Sequence, residues 1–76
     1  MTEAEIRRIL AEVAAEQLGG APLPQGELAE ALDSMQRLAL AVAIEDRFGV
    51  AFEPEDDAAV RTADDLVAIL VRRLGA

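Results

Sequence analysis

Apolar residues recur three and four apart at Ile6, Ile9, Leu10, Val13 and Leu18, while Glu5, Arg8, Glu12 and Glu16 occupy the other side. At ~100° per residue the first four fall in one stripe, the pattern of a helix that covers a core. Thr2 followed by Glu5 makes a capping box, and Gly19-Gly20 closes the segment. A second helix is predicted from Asp33, an N-cap residue, to Phe48, with Gly49 just past its end. Its pattern is different. Leu40, Ile44 and Phe48 form one stripe, and Met35, Leu38 and Val42 form another centred roughly 150° away. Such a helix is either central in the fold or has one side in the core and the other free for a partner. Periodicity leaves both open.

The remaining segments are shorter. Residues 19–32 contain Pro22, Pro24 and Gly26, and are longer than the ~2–8 residues that usually join bundle helices. Leu23, Leu28 and Leu32 are expected to tack this connection to the core, with a helical turn at Glu27 to Ala31. After Gly49, Val50 and Phe52 alternate with polar or small neighbours, and Pro54 opens a further turn through Glu55, Asp56, Asp57 and Val60. A last helix starts at the N-cap Thr62. Asp64 and Asp65 lie in its first turn and Arg72 and Arg73 in its last, matching the dipole at both ends. Leu66, Ile69, Leu70 and Leu74 form its core stripe, with Val67 beside it.

These elements predict an all-α fold over residues 1–76: three main helices and one short one in a single four-helix bundle with a long first loop. The long loop is expected to let the first two long helices pack antiparallel through an overhand connection.

Composition restricts the chemistry. Fifteen carboxylates face seven arginines, with no lysine or histidine, for a formal charge of −8. Nucleic acids and anionic membranes need a positive footprint, so both are excluded as partners; basic protein surfaces are favoured. With no cysteine or histidine, disulfides and the commonest soft metal ligands are absent. No apolar run approaches the ~20 residues of a membrane span, and Met1-Thr2-Glu3 is unlike a signal peptide. A cytoplasmic monomer is expected. Serine occurs once, at Ser34, with neither a base to activate it nor a G-x-S-x-G elbow around it, which argues against a hydrolase and against catalysis by this chain alone. The group Glu53, Glu55, Asp56 and Asp57 lacks the turn glycine and spaced terminal glutamate of a calcium loop, and reads as a solvated acidic face. Arg72-Arg73 reads as a helix-terminal charge pair.

One constellation stands out: Leu32-Asp33-Ser34-Met35 at the start of the second helix. With Asp33 as N-cap, Ser34 lies in the first turn, where amides lack intrahelical partners and the dipole favours an anion. Asp33-Ser34-Met35, followed by Leu38, Leu40, Val42, Ile44, Glu45 and Phe48-Gly49-Val50, resembles the acyl carrier protein family, as do Pro54-Glu55-Asp56 and Thr62-Ala63-Asp64-Asp65-Leu66. The resemblance spans essentially the whole chain. It implies that a separate phosphopantetheinyl transferase attaches 4′-phosphopantetheine from coenzyme A to Ser34, with Asp33 assisting. It implies that acyl-loading and acyl-processing enzymes then dock on Met35, Arg37, Leu38, Val42 and Glu45, and that the arm carries acyl groups as thioesters in a fatty-acid or specialised, polyketide-like pathway. On that reading Leu40, Ile44 and Phe48 are core. The alternative is an unmodified helical interaction module using the same apolar face.

The sequence also departs from the family pattern. Met35 stands where leucine is usual, a volume-conserving change. Glu30-Ala31-Leu32 replaces the usual glycine-containing lead-in. No carboxylate occurs from Met35 to Ile44, where the family ordinarily has several, and Arg37 lies within that stretch. These departures point to a dedicated carrier whose partners differ from those of ordinary fatty-acid synthesis.

Overall fold

The computed structural model describes residues 1–75, and its elements are helices α1 (Glu3–Gln17), α2 (Leu28–Ala31), α3 (Ser34–Phe48), α4 (Pro54–Ala59) and α5 (Ala63–Leu74). The three long helices and α4 are those the sequence predicts; α2 is the single turn expected within the long connection.

Caps set the boundaries. Thr2 Oγ1 accepts from the Glu5 amide at 3.2 Å and Glu5 Oε1 accepts from the Thr2 amide at 2.8 Å, so two of the unpartnered amides at the start of α1 are satisfied reciprocally. Thr62 and Asp65 repeat the arrangement at α5, where Asp65 Oδ2 also accepts from the Arg61 amide at 2.9 Å. These backbone bonds hold the Asp65 carboxyl below its ordinary range, and the Thr2 amide does the same for Glu5. Gly49 closes α3 at φ +68°, a left-handed conformation that disfavours any side chain, and the Val50 amide turns back to the Glu45 carbonyl at 3.1 Å.

The core is formed by Ile6, Leu10, Val13 and Ala14 of α1, Leu28 and Leu32 of the connection, Leu40 and Ile44 of α3, and Leu66, Val67 and Leu70 of α5. Ile9, Leu18, Leu23, Phe48, Phe52, Val60 and Leu74 are half-buried against it. Ile69 is buried as well. The α3 stripes are thereby resolved: Leu40 and Ile44 are 2% and 0% exposed, whereas Met35, Leu38 and Val42 are 80%, 67% and 54% exposed.

The expected antiparallel packing of the first two long helices is not found. Arg47, in the last turn of α3, meets Glu12 at 2.9 Å and Glu16 at 3.9 Å in the C-terminal half of α1. Near the other end, Arg7 meets Asp64 in the first turn of α5 at 3.1 Å. The Leu28 amide donates to the Arg61 carbonyl at 2.9 Å, which brings α2, and with it the start of α3, to that same end. The long helices therefore run in the same sense. The connection from Leu18 to Asp33 is long because it must return the length of the molecule.

The acidic segment is corrected too. Asp56 is buried, and its carboxylate pairs with Arg73 while Arg72 lies 3.9 Å away. Asp56 also accepts from the Glu53 amide at 2.9 Å, ordering the start of α4. Arg73 donates to the Ala51 carbonyl at 3.1 Å. One residue of the predicted solvated face is thus an anchor that ties α4 and the preceding loop to the end of α5. Glu53, Glu55 and Asp57 are exposed as expected.

Candidate functional site

Ser34 is the first residue of α3, and its side chain is exposed. What positions it is the cap beside it. Asp33 Oδ1 accepts from the Gln36 amide at 2.7 Å, and Gln36 Oε1 accepts from the Asp33 amide at 3.0 Å. The sequence reading has Asp33 as the cap but not its partner; the signal that finds the box is Gln36 three residues on, where glutamine takes the place of glutamate. Asp33 itself is extended, at φ −75° and ψ 173°, and it follows the extended, buried Leu32. A buried residue just before a satisfied cap leaves the chain little freedom where Ser34 begins the helix. The absence of a glycine from the lead-in does not disturb the entry, because the single turn of α2 makes the bend and Leu32 anchors it.

The Gln36 amide is satisfied by Asp33, but the amides of Ser34 and Met35 precede any intrahelical acceptor. They and the positive end of the α3 dipole surround the Ser34 hydroxyl, so an anionic group bonded to that oxygen is favoured there. One turn further along α3, Arg37 and Leu38 border a cleft of about 500 Å³ between α3 and the α2 and α4 segments. Its apolar lining includes Leu28, Leu40, Ile44, Phe52, Val60 and Leu66.

The other predicted site residues divide between surface and scaffold. Met35, Leu38 and Val42 are exposed on one side of α3, and Arg37 is exposed beside them. Glu45 differs: it is half-buried, and its Oε2 accepts from the Phe52 amide at 2.7 Å, pinning the loop between α3 and α4 whose Phe52 lines the cleft. The sequence contained no signal for that contact, since it joins residues seven apart across a turn. Among the described residues no helix is long and apolar enough to cross a membrane, and no group of carboxylates is arranged to hold a metal ion.

The site is thus an exposed serine at a capped helix start, in an all-helical bundle with an adjoining apolar cleft. The family model of the phosphopantetheine attachment site matches residues 4–70 of the chain, and the protein belongs to that family. No curated protein matches it at a significant level. Membership carries the cofactor, a covalent 4′-phosphopantetheine, and implies encounters with enzymes that load and process acyl groups. The residues present fit such a group: an accessible hydroxyl, free amides for its phosphate, and an apolar cleft one turn away.

Proposed function

We propose that Ser34 carries the 4′-phosphopantetheine and that the chain serves as an acyl carrier rather than as an enzyme. The observation that supports this best is the exposed Ser34 at the Asp33-capped start of α3, within the segment matched by the attachment-site family. Ser34 is the only serine in the chain. Bound there, the arm supplies a thiol on which acyl groups travel as thioesters. The chain's own residues hold and present that arm. Asp33 and Gln36 lock the helix start, the Ser34 and Met35 amides receive the phosphate, and the cleft past Arg37 and Leu38 offers apolar shelter to an acyl chain. Exposed Met35, Leu38 and Val42, with Arg37 among them, form the docking side for the transferase and for the enzymes that load and process the cargo; Glu45 supports that side from within. The first turns of α3, which hold Arg37 and no carboxylate, favour a specialised, polyketide-like pathway over ordinary fatty-acid synthesis.

Incubation with coenzyme A and a broad-specificity phosphopantetheinyl transferase should add the mass of one phosphopantetheine, and Ser34→Ala should add none. A wild-type chain left unmodified by several different transferases would overturn the attachment and favour the unmodified interaction module. Modification of Ser34→Ala would move the site elsewhere.

A further inference from the structure

Six of the seven arginines are in ion pairs within the chain: Arg7 with Glu3 and Asp64, Arg8 with Glu12, Arg47 with Glu12 and Glu16, Arg61 with Glu27, and Arg72 and Arg73 with Asp56. Among the described residues Arg37 alone has none. In a chain with fifteen carboxylates this is unexpected, because partners are plentiful. The carboxylates near it explain how it stays free. Asp33 is engaged by the Gln36 amide, Glu45 by the Phe52 amide, and Glu27 by Arg61. Asp57 borders the same cleft but makes no ion pair with Arg37. From Ser34 to Ile44, α3 carries no negative side chain. The docking side is thus an apolar surface of Met35, Leu38 and Val42 with one uncompensated positive charge, on a molecule that is otherwise strongly negative.

We propose that Arg37 is the specificity-determining charge of this face, and that it selects partner enzymes whose docking surface is an apolar hollow with a carboxylate opposite Arg37. This rests on the reading of α3 as the docking side. A guanidinium donates two parallel N–H bonds to a carboxylate, a geometry that a neutral side chain cannot reproduce. The same charge repels a surface that is lysine- and arginine-rich at that point, and like-charge contact is an effective means of rejecting wrong partners. The net charge of −8 then attracts basic surfaces at long range, while Arg37 decides locally which of them fit.

The test uses binding, so that it does not depend on attachment. The Ser34→Ala carrier and its Arg37→Gln and Arg37→Glu derivatives are titrated against two probes by fluorescence anisotropy. One probe is a phosphopantetheinyl transferase with a basic carrier-docking surface. The other is the same enzyme with those basic residues changed to glutamate. On the basic surface, Kd should fall about two- to fivefold at each step from Arg37 to Gln to Glu in ~0.05 M salt. On the acidic surface the order should reverse. Both trends should shrink at ~0.5 M salt, as the screening length drops well below ~10 Å. The same ranking on both surfaces, insensitivity to salt, or binding to neither would overturn the proposal. Failure of Ser34 to accept phosphopantetheine would overturn the attachment site and leave this comparison intact.

Discussion

Removal of the Asp56 carboxylate is the most informative perturbation of the scaffold, because this group serves three partners at once. Its side chain is 8% exposed and pairs with Arg73, whose side chain is 31% exposed, while Arg72 stands 3.9 Å away and the Glu53 amide donates at 2.9 Å. Deleting one member of a fully buried pair costs ~3–5 kcal/mol, mostly because the other charge is stranded. Arg73 is only partly buried and keeps its bond to the Ala51 carbonyl, so that term is reduced to ~1–2 kcal/mol. Loss of the acceptor at the start of α4 adds ~1 kcal/mol. Asp56→Ala should therefore destabilise the fold by ~2–3 kcal/mol, which in a domain of this size lowers Tm by roughly 10–20 °C. Asp56→Asn retains an acceptor for the Glu53 amide and should cost about half as much. The assay is urea and thermal unfolding followed by far-ultraviolet circular dichroism, with Asp56→Leu, Arg73→Met and the Asp56→Leu/Arg73→Met double variant completing a cycle. The double variant should recover much of the loss, since an apolar pair of similar volume replaces the buried ions without stranding either. A loss below ~0.5 kcal/mol for Asp56→Ala would refute the anchor and return the segment to an ordinary solvated acidic face.

The remaining predictions concern the two faces of α3 and the helix caps. Met35→Asp should change stability by less than ~1 kcal/mol yet impair phosphopantetheine transfer, whereas Ile44→Ala should cost ~2–5 kcal/mol; an unfolded Met35→Asp variant would show that its side chain is needed in the core. Stability should decline in acid. The unfolded Asp65 titrates near the ordinary value of 3.8, while the folded carboxyl, holding the Arg61 and Thr62 amides, titrates lower. The stability it confers is complete above that ordinary value and is lost as pH falls through the folded one, so the urea midpoint should drop as pH falls below ~4. Asp65→Asn should flatten this dependence; an unchanged acid profile would refute the assignment.

Much of the candidate site was legible because it is local. The Asp33 cap and the position of Ser34 one residue into the helix are read from immediate neighbours; the reciprocal Gln36 contact was missed, although it too lies within four residues. Legible for the same local reason are the Thr2–Glu5 box, Thr62 as the cap of α5 and Gly49, whose positive φ ends α3 where the sequence indicates. The single acidic residue that leaves solvent was not legible. Asp56 looks like Glu55 and Asp57 on either side, and only the arrival of Arg73, seventeen residues later, gives it a buried partner.

The sequence by itself determined where the long helices start and stop, that the single serine lies at a helix start, and which two stripes α3 presents, because caps and periodicity act over three or four residues. Which stripe meets the core was decided only by the tertiary structure. Leu40 and Ile44 are buried in the core that α3 shares with α1, and Met35, Leu38 and Val42 remain outside because nothing among the described residues covers that side. The common direction of α1 and α3 was decided at the same level, by ion pairs between residues more than thirty positions apart. Neither a hydrophobic period nor a cap carries information about the direction in which a distant helix will lie, since an apolar stripe can pack against a neighbour running either way.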